Sequence, residues 1–80
     1  MIIVYTKPYE GVPASGPLSY AVIPEPGVTF AFVLRKYDGS AWVDVATITA
    51  ETLPTALGSG TYRLDCIATT GTVYVPMVAA

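Results

Sequence analysis

The chain has 80 residues, a formal net charge of −2 and no histidine, and 52% of its residues are hydrophobic while only 12% are charged. This length fits one small domain with a thin core, and such a low charge content is unusual for a domain that is mostly surface. The four basic residues are spread along the chain. This spread excludes the basic patch of a nucleic-acid-binding protein, and we expect neither nucleic acid nor a membrane as a partner.

Short apolar segments, separated by Gly and Pro about every ten residues, predict an all-β fold. We predict that residues 1–80 form a single small immunoglobulin-like antiparallel β-sandwich, with a small β-barrel as the alternative. The predicted strands are Ile2 to Thr6, Leu18 to Ile23, Thr29 to Tyr37, Trp42 to Thr49, Thr61 to Thr69 and Thr72 to Val78. Tyr5 and Tyr20, in the first two of these strands, are expected to fill the core.

Three segments between the predicted strands carry the Pro and Gly residues. Residues 7–17 contain three Pro and two Gly, which exclude a helix and predict an extended loop or arm. Residues 24–27 predict a turn. Residues 51–60 fit either one helical turn or a short strand, and both remain open.

The first predicted hairpin turns near Asp38 and Gly39, and two registers are possible. A two-residue turn pairs Arg35 with Trp42, and a four-residue turn over residues 38–41 pairs Arg35 with Asp44. Both registers have the same parity, so both give the same inward-facing row. That predicted core row is Phe30, Phe32, Leu34, Val43 and Val45.

The second predicted hairpin turns at Thr70 and Gly71 and pairs the last two strands. Because Arg63 and Asp65 carry charge, they are assigned to the outward side. Pro76 has no amide hydrogen for a ladder, which predicts that the last strand is an edge or ends early. The inward row is then Tyr62, Leu64, Cys66 and Ala68.

The segment GTYRLDCIATTG, residues 60–71, resembles the penultimate strand of immunoglobulin-like and fibronectin-type sandwiches, which often open with Gly-Thr-Tyr. It departs from the antibody pattern because Tyr62 and Cys66 are four residues apart and the chain has no second Cys. The segment KYDGSAWVDVA, residues 36–46, resembles Asp-Gly hairpins of small phage virion and tail proteins. These resemblances imply a sandwich domain of the kind found in virion accessory proteins.

The residues needed for catalysis are missing, so we predict no enzyme, no cofactor and no metal site. Without His, a Ser-His or Cys-His nucleophile cannot form. Cys66 has no basic neighbour in sequence and is assigned to the core rather than to a reactive thiol. Asp38 and Asp44 are the only close carboxylate pair, and they are interpreted as a turn former and a surface carboxylate.

The sequence also indicates a surface suited to contacts with other proteins. Residues 11–24 and 66–80 contain no charged side chain, and aromatic residues are abundant. We predict a structural subunit of a larger protein assembly or homo-oligomer, most concretely a phage capsid decoration or tail protein. The chain shows no signal-peptide pattern, so it is expected to be made in the host cytoplasm and to reside in the virion.

The alternative is a carbohydrate- or peptide-recognition module around Trp42, Tyr37 and Asp44. The predicted interface residues are Tyr9, Pro13, Tyr37, Trp42, Tyr74 and Val78.

Overall fold

The computed structural model describes residues 1–79, and its regular elements are all strands. In chain order they are β1 (Ile2–Tyr5), β2 (Ala14–Pro24), β3 (Phe30–Tyr37), β4 (Trp42–Ile48), β5 (Thr52–Thr69) and β6 (Val73–Ala79). They form one antiparallel sheet in the order β1-β6-β2-β5-β3-β4, which confirms the all-β prediction. No helix within residues 1–79 is long and apolar enough to cross a membrane.

The long strand β5 curls this sheet into two layers. Its first half pairs with β2, from Thr52 opposite Val22 to Tyr62 opposite Ala14. Its second half pairs with β3, ending with Thr69 opposite Phe30. The first layer is therefore β1, β6, β2 and the first half of β5, and the second layer is the second half of β5 with β3 and β4.

The core lies between the two layers. Tyr5 of β1 and Phe32 of β3 belong to strands far apart in the sheet order, yet their ring centroids are 4.8 Å apart. Tyr5 and Tyr20 are buried, as expected. Successive residues of a strand point to opposite faces of the sheet, so about every second residue of each layer faces the core. The buried cluster comprises Tyr5, Leu18, Tyr20, Val22, Phe30, Phe32, Leu34, Ile48, Tyr62, Leu64, Cys66, Val73, Val75 and Met77.

Two segments contain more strand than the sequence indicated. β2 begins at Ala14, so only the first part of the predicted loop 7–17 is a loop, and residues 52–60 are strand. Small residues allow β2 and β5 to approach closely here. A Cβ added to Gly16 would lie 2.1 Å from the carbonyl oxygen of Gly58. Composition predicts a loop for residues 7–17 and fits two alternatives for residues 51–60, yet parts of both segments form a tight strand pair.

The β3–β4 hairpin uses the four-residue turn, with Tyr37 opposite Trp42 and Arg35 opposite Asp44. Phe30, Phe32 and Leu34 face the core as predicted. The prediction that Val43 and Val45 do so is wrong, because both are exposed. The register shifts between Leu34 and Arg35, which inserts Val45 as an extra residue in β4 and brings Ile48 opposite Phe32 instead.

Asp38 holds the turn of this hairpin. Its Oδ1 accepts hydrogen bonds from the amide of Ala41 (2.8 Å), the amide of Ser40 (2.9 Å) and the Ser40 hydroxyl (3.1 Å). These bonds, led by the one from the Ala41 amide, lower the pKa of Asp38 below its ordinary value. The carboxylate is thus a better acceptor for the turn than its protonated form would be.

We expect the turn to lose support in acid. Because the folded pKa of Asp38 is the lower one, its stabilising effect is complete above the unfolded value of about 3.9 and is lost as the pH falls through the folded value. The gap in free energy of unfolding between wild type and Asp38→Ala should therefore narrow from about pH 6 to about pH 2. Urea titrations at several pH values measure this gap. A gap that does not change with pH would contradict the assignment.

The predicted hairpin of the last two strands is wrong. β5 pairs with β2 and β3, whereas β6 pairs with β1 and β2, so the short connection at residues 70–72 crosses between layers. The inward rows were nevertheless assigned correctly for Tyr62, Leu64 and Cys66, which are buried. Ala68 is exposed, because the register shifts between Ala31 and Phe32 of the partner strand β3.

β6 is not an edge strand, contrary to the expectation from Pro76. It lies between β1 and β2, with Ile2 opposite Pro76. On the β2 side, β6 pairs with Leu18 to Tyr20 and again with Ile23 and Pro24. The residues of β6 between these two stretches, Val75 and Pro76, have no registered partner in β2. The missing amide hydrogen of Pro76 falls in this gap, and a proline is therefore tolerated in an interior strand.

Candidate functional site

Charge is distributed unequally between the two layers. The strand segments of the first layer, residues 2–5, 14–24, 52–62 and 73–79, contain no charged side chain. The four basic and six acidic residues of the chain all lie in the second layer or in the connections between strands. One complete layer of this small domain therefore has no charged side chain on either of its sides.

The outer side of the first layer is an exposed apolar surface. Strand pairing places Ile2 opposite Pro76, Val4 opposite Tyr74, and Tyr74 opposite Ile23. Apart from half-buried Pro76, the residues of this surface are exposed, from 38% for Tyr74 to 65% for Ile2. We call the following six residues the apolar face: Ile2, Val4, Ile23, Tyr74, Pro76 and Val78.

The outer side of the second layer carries a network of charged groups around Asp65, whose side chain is only 6% exposed. Arg35 Nη1 lies 2.8 Å from Asp65 Oδ2, and Arg63 Nε lies 2.9 Å from Asp65 Oδ1. The outer ends of the two arginines reach exposed carboxylates, with Arg35 Nε 3.0 Å from Asp44 Oδ1 and Arg63 Nη1 3.0 Å from Glu10 Oε1. Within residues 1–79, no buried side-chain N or O atom lacks a hydrogen-bond partner. The charged groups of this network are therefore paired with one another within the domain.

Residues 6–13, which we call the arm, cover this network. The amide of Tyr9 donates to the carbonyl of Cys66 at 2.9 Å, and the Cys66 amide donates back at 2.8 Å. The amide of Gly11 donates to Asp65 Oδ1 at 2.9 Å. Arg63 and Asp65 point outward as the sequence indicated, yet they are buried, and they contact the arm, Arg35 and Trp42. The arm is packed on its own domain and does not extend away from it.

Trp42 is half-buried and already engaged by its neighbours. Its ring lies 4.5 Å from the guanidinium carbon of Arg63, a cation–π distance, and 5.3 Å from the ring of Tyr37. Asp44 is bound to Arg35. The aromatic platform considered for ligand recognition is therefore occupied largely by contacts within the chain.

The six predicted interface residues lie in three separate regions. Tyr9 and Pro13 are in the arm, Tyr37 and Trp42 are at the β3–β4 hairpin, and only Tyr74 and Val78 belong to the apolar face. Ile2, Val4 and Ile23 are not among the interface residues predicted from the sequence. They join Tyr74 and Val78 only because β6 lies between β1 and β2, an order that no local sequence signal indicates.

The side chains that could take part in catalysis each have separate contacts within the fold. Burial raises the pKa of the Cys66 thiol, which donates a hydrogen bond to the Ala68 carbonyl oxygen at 3.6 Å. Burial also raises the pKa of Tyr5 well above its usual range, and its hydroxyl donates to the Leu64 carbonyl at 2.7 Å. Asp38 caps a turn while Asp44 pairs with Arg35. Residues 1–79 contain no group of three or more His, Cys, Asp or Glu side chains placed to hold a metal ion.

No protein-family model, no curated protein and no solved structure matches this chain. The resemblance of residues 60–71 to immunoglobulin-like strands, and of residues 36–46 to hairpins of phage virion proteins, thus stays a prediction. The apolar face is the candidate functional site on the grounds of its geometry and chemistry.

Proposed function

We propose that this chain is a non-enzymatic structural subunit that docks, through the apolar face, on or within a larger protein assembly. The observation that carries this proposal is the uncharged first layer with its exposed apolar side chains. Isolated exposed apolar residues are ordinary on protein surfaces, but a contiguous group on adjacent strands is typical of an interaction site.

The free energy of covering each side of the domain with a partner protein also favours the apolar face as the docking surface. Taking a charged group out of water costs several kcal/mol, and an ion pair often does not recover that cost, whereas covering apolar surface is favourable at ~25 cal/mol per Å². A partner on the second layer would have to cover Asp44 and Glu10, whose side chains are 71% and 73% exposed. A partner on the apolar face would cover no charged side chain of the first layer.

The most concrete assembly is a phage particle, with the chain as a capsid decoration or tail protein made in the host cytoplasm. Support comes from the small size, the strand-only architecture and the resemblance of residues 36–46 to hairpins of such proteins. A recognition module around Trp42 has less support, because Arg63 and Tyr37 already pack against that ring.

The test compares two matched valine substitutions during particle production in the native host. Wild type, Val78→Lys and Val43→Lys are tagged and fractionated by size, and the particle fraction is examined by mass spectrometry for capsid and tail proteins. Val78 lies in the apolar face and Val43 outside it, and both are exposed strand residues. We expect wild type and Val43→Lys in the particle fraction and Val78→Lys outside it.

Two results would count against the proposal. Wild-type protein that stays entirely in the small-size fraction while particles form would show that the chain is no particle subunit. Equal behaviour of Val78→Lys and Val43→Lys would show that the apolar face does not dock.

A further inference from the structure

We infer that the groove between the free edge of β1 and the arm binds an extended segment of a partner protein, which lies antiparallel to β1 and places an acidic side chain beside Lys7. This groove goes beyond the proposed function, because it lies at the edge of the first layer and its occupant need not belong to a particle. Three features define the occupant: the unpaired backbone of β1, the groove beside it, and the charge of that groove.

Half of the backbone groups of the edge strand β1 point away from the sheet. The Met1 ammonium donates to the Met77 carbonyl at 3.0 Å, and the Met77 amide donates to the Met1 carbonyl at 2.8 Å. Because hydrogen-bonded and non-hydrogen-bonded pairs alternate along an antiparallel ladder, Ile3 is bonded to β6 whereas Ile2 and Val4 are not. The amide and carbonyl groups of Ile2 and Val4 are therefore available to a further strand.

A groove of about 470 Å³ lies alongside this edge, between β1 and the arm. On the arm side it is lined by Tyr9 and Val12, which are 53% and 52% exposed. Tyr9 packs edge-on against Tyr5, with ring centroids 6.3 Å apart, and its backbone is bonded in both directions to Cys66. The arm side of the groove is thus held in place by the domain, so binding does not have to order it.

An extended peptide fits both the free edge and the groove. In strand addition, the main chain of the peptide pairs with the free backbone groups while alternate side chains enter the groove. The antiparallel direction is favoured, because antiparallel pairing is the more stable per residue. The opposite edge of the sheet, β4, is less suited, because exposed Asp44 and the extra residue Val45 disfavour a regular ladder there.

The charge of the groove defines the remaining feature of the occupant. Arg35 and Arg63 are paired with carboxylates, and Lys36 lies over an aromatic ring. Lys7 lines the groove and, within residues 1–79, has neither kind of contact, and no acidic residue lines the groove with it. The first residue of an antiparallel segment lies at the end of β1 that leads to Lys7, so an acidic side chain there is complementary. The Met1 ammonium, at the other end of β1, likewise disfavours a basic segment.

The experiment is an NMR titration of the isotope-labelled full chain with the peptide acetyl-Glu-Val-Thr-Val-Thr-Val-amide, up to about 2 mM, which covers weak specific binding. The matched peptide has Gln in place of Glu. We expect the amide signals of Ile2 and Val4 and the ring signals of Tyr9 to shift. Because the ion pair is exposed, Kd should be about two- to fivefold lower for the Glu peptide than for the Gln peptide.

Two matched protein variants test the charge, since Lys7 and Lys36 are both exposed. Lys7→Gln should bind the Glu and Gln peptides equally, whereas Lys36→Gln should keep the preference of wild type. Circular dichroism checks that both variants are folded. The peptide acetyl-Glu-Pro-Thr-Pro-Thr-Pro-amide, in which three amide hydrogens are missing, should cause no shift at Ile2 and Val4 if backbone pairing is the source of binding.

Three results would overturn the groove as a peptide site. They are unchanged Ile2 and Val4 signals at the highest peptide concentration, equal binding of the Glu and Gln peptides to wild type, and tighter binding of acetyl-Val-Thr-Val-Thr-Val with a free carboxyl end. The last result would make the occupant a chain end and not an acidic side chain.

The particle experiment is independent of this titration. A chain that binds the Glu peptide but stays out of particles removes only the proposed function. A chain that enters particles through Val78 but does not bind the peptide removes only the groove.

Discussion

Replacing Asp65 by Asn is expected to lower the free energy of unfolding by about 3–5 kcal/mol, because it leaves the buried Arg63 guanidinium without its buried counter-charge. The same change weakens the contacts to Arg35 and to the Gly11 amide. A domain of this length has a total stability of only about 4–12 kcal/mol. Urea denaturation followed by circular dichroism measures the loss, and the variant should be close to unfolding at physiological temperature.

Asp44→Asn is the matched control, because Asp44 binds the same Arg35 from an exposed position. An exposed ion pair contributes about 0–1 kcal/mol, so this variant should remain close to wild type. Equal losses for Asp65→Asn and Asp44→Asn would show that burial of the network under the arm does not contribute to stability.

Replacing Gly11 by Ala is expected to detach the arm and to cost about 2–4 kcal/mol, from overpacking together with the loss of a buried hydrogen bond. A Cβ at position 11 would lie 2.1 Å from the carbonyl oxygen of Leu64 and 3.0 Å from the Tyr5 hydroxyl. The arm cannot shift without disturbing the paired bonds between Tyr9 and Cys66. Hydrogen exchange should therefore become faster at the amides of Tyr9, Gly11 and Cys66.

Gly58→Ala provides the comparison, because nothing lies within 4 Å of a Cβ added there. This substitution should change stability by no more than about 0.5 kcal/mol and leave amide exchange in the arm unchanged. If the exchange at Tyr9 is equally slow in wild type and Gly11→Ala, the arm does not depend on this close approach.

The sequence predicted the faces of the strands better than it predicted their neighbours. Tyr62, Leu64 and Cys66 were assigned to the core through a hairpin that does not exist. The assignment held because side chains alternate along any strand, whichever strand lies beside it. Val45 and Ala68 were misassigned where a register shift interrupts the pairing, and alternation alone does not reveal such a shift. Val43 is exposed for another reason, since it lies opposite exposed Lys36 near the turn of the hairpin.

The candidate site was predicted only in part for the same reason. Tyr74 and Val78 could be selected because they are apolar, outward-facing residues in a charge-free segment. Ile2, Val4 and Ile23 could not, because they depend on the order β1-β6-β2. Backbone hydrogen bonds are the same between any two strands, so this order depends on the curl of the sheet around the core and not on a local motif.

By itself, the sequence determined an all-β domain, its main inward rows, and long charge-free segments within a chain of few charges. These properties follow from side-chain chemistry and the two-residue period of a strand, both of which are local. The tertiary structure alone decided that the charge-free segments form one layer, that the arm covers Arg63 and Asp65, and that six residues from three strands form one apolar face. These properties depend on contacts between residues up to 74 positions apart, as for Ile2 and Pro76, which form only when the sheet curls around its core.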